Sequence, residues 1–141
     1  EDGARINKWV YEKGMQNTNM ENDVAIFRLA DVYLMKAEAL LRMGKDAGEA
    51  TRLVNLIRER AYGDSKHDYA NVTLDDIYKE RGYELAFEFV RRQDMIRFGT
   101  YLRPRYMKPK QTADYRKIFP IPYTAWQKNN NLVQNAGYPS F

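Results

Sequence analysis

The chain has 141 residues, 44% of them hydrophobic, and balances 23 Lys and Arg against 19 acidic residues for a net charge of +4. That length is one domain with room for a core. With no Cys, disulfides, thiolate zinc sites and thiol nucleophiles are excluded within these residues. No run of about eighteen apolar residues is present, so no segment reads as a membrane-spanning helix, and no charged stretch followed by an apolar one marks a signal peptide. The basic residues are interleaved with acids along the sequence, which describes a mixed solvated surface and not a nucleic-acid stripe.

Residues 1–23 are polar and broken by Gly3, Gly14, Asn17, Asn19 and Asn22. Ile6, Trp9, Val10 and Tyr11 form a short strand or a clasp onto the body. Trp9 and Tyr11 have two readings: aromatic cover for a core, or platforms for the apolar face of a sugar ring. A helix is expected over 25–43. Ile26, Leu29, Ala30, Tyr33, Leu34, Ala37, Leu40 and Leu41 share one broad face, and Arg28, Asp31, Glu38 and Arg42 share the other. Asp23 suits the N-cap and Gly44 the left-handed stop. A second helix follows at once. Asp46 and Glu49 have capping-box spacing, Ala50, Leu53, Val54, Ile57 and Ala61 make a narrow stripe, and Gly63 ends it. Two such helices on a tight turn form a tetratricopeptide-like hairpin, which needs neighbours to bury both faces.

The polar loop over 62–71 holds the only histidine, His67. One His beside Asp64 and Asp68 is too little for a metal site, so it reads as a solvated loop residue. One long central helix is expected from Thr73, capped through Asp76, to Gly99. Leu74, Ile77, Tyr78, Leu85, Met95 and Ile96 line one face with Phe89 at its edge, and Tyr83, Phe87 and Val90 make a second strip. Apolar residues on two sides describe a helix sandwiched between layers. Arg81, Glu84, Glu88, Arg91 and Arg92 lie among them at i+3 and i+4 spacings, so they read as a structural ion-pair network within that helix.

Residues 100–117 turn basic and irregular, and are either a functional surface loop or a poorly ordered one. The Phe119-Pro120-Ile121-Pro122 run must be extended, since each Pro restricts the residue before it. It is expected to lie across the helices with Phe119 and Ile121 inward, followed by a short helix from Thr124 through Gln127 and a tail anchored by Leu132, Val133 and Tyr138. Glu80, Glu84 and Glu88 form a carboxylate ladder, and paired carboxylates raise a glycosidase hypothesis. Set closely on one helix among Arg81, Arg91 and Arg92, they would stay ionised and would lack an open cleft between them. No Ser/His/Asp set, Gly-rich phosphate loop or metal motif accompanies them. No catalytic residue, metal ligand or cofactor is expected.

Three long motifs stand in order: FRLADVYLMKAEALLRMG (Phe27–Gly44), ERGYELAFEFVRRQDMIRFG (Glu80–Gly99) and IFPIPYTAWQKNNNLVQNAGY (Ile118–Tyr138), with LVNLIRERA (Leu53–Ala61) between the first two. Together they closely resemble the SusD/RagB family of outer-membrane nutrient-binding lipoproteins of Bacteroidetes, over roughly Asn22 to Tyr138. The resemblance implies an all-α fold: a tetratricopeptide-like hairpin, a long central helix and an extended C-terminal wrap, forming over residues 1–141 a single C-terminal domain of a longer protein. It further implies non-enzymatic binding of oligosaccharide at the exposed face of the outer membrane and delivery to a SusC-like TonB-dependent transporter. Membrane attachment would come only through a lipid anchor outside this chain, and no nucleic acid is involved. Some family members bind peptides, and a tetratricopeptide-like protein scaffold without glycan is the rival reading. In the family the ligand-contacting aromatics generally lie outside this stretch, so Trp9, Tyr11 and Trp126 stand only as candidate ligand residues. Tyr101, Tyr106 and Tyr138 complete the set of rings that a convergent sugar site would need.

Overall fold

The computed structural model describes Lys8, Trp9, Lys13, Gly14 and residues 23–141. Among these residues the structure is helical without a strand, as the sequence leads one to expect. It comprises α1 (Leu29–Arg42), α2 (Ala47–Tyr62), α3 (Leu74–Glu84), α4 (Arg91–Arg97), a 3-10 turn at Asp114–Lys117 and α5 (Tyr123–Lys128). The sequence reading takes the chain as one domain; its contacts gather into two compact units, residues 1–91 and 92–141.

The first unit is the helical hairpin with α3 added. Ala30, Leu34 and Ala37 of α1 meet Ala50, Leu53, Val54 and Ile57 of α2, and Val72, Ile77 and Leu85 complete the cluster. Small residues on both helices let the backbones approach, and Leu34, Leu53 and Ile77 fill the space between. Asp46 caps α2 by accepting from the Glu49 amide at 2.9 Å. Gly63 closes the helix at φ 80°, a left-handed conformation that glycine adopts without strain.

The first helix starts later than its periodicity suggests. Arg28 is its N-cap, with extended backbone (φ −136°, ψ 155°). Ile26 and Leu29, expected on the core face, are therefore exposed, at 84% and 62%. The face opposite the core is not simply solvated either. Glu38 is buried and pairs with Arg42 at 2.7 Å, and Asp31 pairs with the buried Arg81 at 2.7 Å.

The long central helix is the main correction. It is two helices, α3 and α4, separated by six residues in which Phe87 and Phe89 both adopt φ 62°. Neither Gly nor Pro interrupts 85–90, so periodicity ran through the break unopposed. The start of α3 follows the sequence closely: the Thr73 hydroxyl accepts from the Asp76 amide, and the Asp76 carboxylate accepts from the Thr73 amide. The Thr73 side chain holds the Asp76 pKa below its ordinary value against a smaller effect of burial. Thr73→Ala is expected to cost about 1 kcal/mol, measured by urea unfolding.

The left-handed phenylalanines are a store of strain, since an L-residue there costs about 1–2 kcal/mol. Phe89 is 91% exposed, so little burial offsets it. Phe89→Asn, which tolerates this conformation, is expected to raise stability by about 1 kcal/mol. A fall in the unfolding midpoint would show that the ring is held by contacts worth more than the strain.

The second unit is built from loops and two short helices. Pro120 and Pro122 leave Ile121 as the one residue of that run with an amide hydrogen between them. The Gln134 side chain satisfies both of its backbone groups: Oε1 accepts from the Ile121 amide at 2.8 Å and Nε2 donates to the Ile121 carbonyl at 3.0 Å. Asn135 Nδ2 donates to the Phe119 carbonyl, and the Tyr138 hydroxyl to that of Ile118, at 2.8 and 2.7 Å. Three tail side chains thus act as the hydrogen-bonding partner that an extended segment needs. Ile121 is half-buried, whereas Phe119, expected inward, is 67% exposed with the Arg92 guanidinium 4.0 Å from its ring centroid. The Thr124 helix appears one residue longer at each end, as α5.

Candidate functional site

The carboxylate ladder lies in the first unit, and its partners come from other segments. Arg28 sends its guanidinium fork to both upper rungs: Nε and Nη2 to the Glu88 carboxylate at 2.7 and 2.8 Å, and Nη1 to Glu84 at 2.7 Å. Arg60 of α2 holds Glu84 from another side at 2.7 Å, and Lys8 pairs with Glu88. Glu80 is held by Arg58 at 2.7 Å. The carboxylates are nearly buried, with side chains of Glu84 and Glu88 only 9% and 6% exposed.

Burial opposes ionisation of Glu88, but hydrogen bonds from Arg28 and Lys8 outweigh it and leave the pKa below its ordinary value. The Glu88 hydrogen bond, ahead of a smaller opposing effect of burial, holds Arg28 above its own. Arg28 Nη2 and Lys8 Nζ also donate to the Glu84 backbone carbonyl, at 2.8 and 2.6 Å. That carbonyl ends α3, where the helix dipole is negative, so the same cations neutralise two acids and cap the helix.

The expected network of Arg81, Glu84, Glu88, Arg91 and Arg92 is therefore divided. Glu84 and Glu88 share Arg28. Arg81 turns to Asp31. Arg91 donates to the Tyr78 carbonyl at 2.7 Å and lies over the Tyr78 ring at 3.9 Å, passing close to Gly82, where an added Cβ would meet the guanidinium at 3.0 Å. Arg92 serves the second unit. The helix break explains the change, because past Leu85 the i+3 and i+4 spacings no longer measure one helix face. Arg28 escaped sequence reasoning for a related reason: a helical wheel places it on a polar face, while its real position at the N-cap frees it to reach α3. Arg58 and Arg60 carried a signal, being cations near the apolar stripe of α2.

Of the candidate sugar-stacking rings, Trp126, Tyr138 and Tyr101 each meet a side chain of the second unit. Trp9 is half-buried, and Tyr11 lies outside the described residues, as do Ile6 and Val10. Trp126 stacks with Tyr123 (5.5 Å between centroids, 25°) and with Phe141 (5.3 Å, 19°), so its faces meet rings of its own chain. Tyr138 meets Tyr115 edge-on at 4.8 Å. Tyr101 stands below the Arg92 guanidinium, 5.0 Å from its ring centroid, and Tyr106 is 78% exposed. His67 stacks on Tyr62 at 4.1 Å. Among the described residues no group of three or more His, Cys, Asp or Glu is placed to hold a metal, and no helix is long and apolar enough to cross a membrane.

The second unit holds a further feature, built largely on the basic, irregular stretch over 100–117. A cavity of about 380 Å³ is lined by Ile96, Gly99, Tyr101, Leu102, Arg103, Gln111 and Lys117. Arg92 organises its wall: the guanidinium over Tyr101 also donates to the Lys117 carbonyl at 2.8 Å. The irregular basic stretch closes on itself through Thr112 amide to Leu102 carbonyl at 2.9 Å and the Arg105–Lys108 bridge.

The sequence pattern that defines the SusD family matches residues 1–117. This chain belongs to the SusD family. It is 33% identical to the starch-binding protein SusD of Bacteroides thetaiotaomicron, over 97% of this chain and 26% of that protein. A SusD-like protein of Formosa agariphila is 35% identical over 85% of this chain and 26% of its own length. Among solved structures, surface glycan-binding protein A from Bacteroides uniformis superposes with a TM-score of 0.63 at 29% identity, covering 79% of this chain and 27% of that one. The chain thus spans about a quarter of the length of the relatives it matches. Family membership accounts for the all-α, tetratricopeptide-like hairpin.

Proposed function

We propose that this chain is a scaffold part of a non-enzymatic glycan-binding protein, exposed on the outer membrane, that delivers oligosaccharide to a SusC-like TonB-dependent transporter. The observation that carries the reading is the 33% identity to starch-binding SusD along nearly the whole chain. The geometry agrees with it: Glu84 and Glu88, the upper acids of the carboxylate ladder, are nearly buried and tied to Arg28, Arg60 and Lys8. A retaining or inverting pair needs one carboxyl with a raised pKa beside an open cleft; the Glu88 pKa is lowered. The stacking of Trp126 with Tyr123 and Phe141 supports a scaffold role for that ring.

The test uses the native protein that carries this chain, extracted from outer membranes in mild detergent. Co-migration with a TonB-dependent transporter, and retention on immobilised oligosaccharide without release of new reducing ends, are expected. Release of reducing ends, or fractionation away from both membrane and transporter, contradicts the proposal.

A further inference from the structure

The charge of the chain is divided unevenly. Residues 92–141 carry nine Lys and Arg against two acids, Asp94 and Asp114, while residues 1–91 carry fourteen against seventeen. The basic stretch over 100–117 supplies six of the nine cations, and the division into compact units separates them from the acids of residues 1–91. Both acids of the second unit are engaged locally, Asp94 with Arg97 and Asp114 with Lys117. Arg103, Arg105, Lys108 and Lys110 have no acidic partner among the described residues. Two of the unit's cations, Arg103 and Lys117, line the cavity.

Resting on the glycan-binding reading above, we propose that this cavity is a subsite for an acidic sugar, a ring bearing a carboxylate or sulfate. Each lining group suits one part of such a ligand. Arg103 presents a planar fork that pairs with an anionic group through two parallel hydrogen bonds. Lys117 adds a point charge, and its exposed pairing with Asp114 is of the kind that an incoming anion displaces readily. The Gln111 amide both donates and accepts, as sugar hydroxyls require. The Tyr101 ring, with Ile96 and Leu102, offers apolar surface to the C–H face of a sugar. The volume falls at the small end of ligand pockets, which run from about 300 to 1,000 Å³. Arg92 is the positioning residue, since it fixes both the Tyr101 ring and the Lys117 backbone.

The native protein carrying this chain, in wild-type and Arg103→Gln forms, is compared on four immobilised ligands at low and high salt: a neutral glucan oligosaccharide, a uronate oligosaccharide, a sulfated oligosaccharide, and polyglutamate as an anion without sugar rings. One of the acidic sugars is expected to be held roughly tenfold more tightly than the neutral one. That advantage should vanish in Arg103→Gln and at high salt, with the melting temperature unchanged because Arg103 is exposed and makes no side-chain bond. Which acidic sugar gains tells carboxylate from sulfate. Equal retention of neutral and acidic sugars, equal retention of polyglutamate, or an advantage that survives Arg103→Gln would overturn the subsite and leave glycan binding standing. Retention of no sugar at all would overturn both.

Discussion

Arg28→Ala is expected to destabilise the chain by about 3 kcal/mol, lowering the melting temperature by roughly 10 °C. The substitution leaves two nearly buried carboxylates short of a cation and removes a donor from the last carbonyl of α3. Truncating one member of a buried ion pair typically costs about 3–5 kcal/mol. The lower end applies because Arg60 still reaches Glu84 and Lys8 still reaches Glu88. Arg28→Lys should recover only part of the loss, since an ammonium cannot span both carboxylates as the fork does. Lys79→Ala serves as the contrast: its pairing with Asp75 is exposed, and its loss should leave the melting temperature nearly unchanged. Equal melting temperatures for Arg28→Ala and the wild type would mean that the network is ornamental.

The same network sets a pH dependence. The folded pKa of Glu88 lies below the ordinary value of 4.5, so the unfolded chain binds its proton more readily. The stability this contributes is complete above 4.5 and is lost as pH falls below that value through the depressed folded pKa. The unfolding midpoint should therefore drop on acidification below about pH 4.5, and drop less steeply in Glu88→Gln.

Ile77→Ala is expected to cost a similar amount, about 3 kcal/mol. Ile77 is fully buried and is the contribution of α3 to the cluster containing Leu34, Leu53 and Val54. The shorter side chain loses its transfer energy and leaves a cavity between three helices that cannot all relax. Ile77→Val, one methylene smaller, should cost about 1 kcal/mol. A loss below about 1 kcal/mol for the alanine variant would show that α3 does not depend on packing against the hairpin.

How much of this was legible in the sequence depends on the kind of signal. The hairpin was readable because its stripes, its Asp46 cap and its Gly63 stop agree with one another at every level. The Thr73 cap was readable for the same reason. The break after Glu84 was not, because nothing local opposes a helix through Leu85–Val90. It is held by Arg28 and Lys8, both more than fifty residues away in sequence. The sequence reading paired Glu84 and Glu88 with neighbours on their own helix, since spacing reports only intrahelical partners, whereas Arg28, Arg60 and Lys8 reach them from other segments. The cavity beside Tyr101 had no motif at all. It depends on Arg92 joining a ring and a loop carbonyl, a tertiary arrangement that composition cannot show. Trp126 was picked for its chemistry, and only coordinates reveal that it stacks with Tyr123 and Phe141.

The measurement that tests the central claim most directly is retention of the native protein on a panel of immobilised soluble glycans and a few peptides, with Trp126→Ala and Trp9→Ala beside the wild type. Retention of oligosaccharide over peptide, unchanged in both variants, is the predicted result. Retention abolished by either substitution at an unchanged melting temperature would place the ligand site on those rings and contradict the scaffold role argued for this chain.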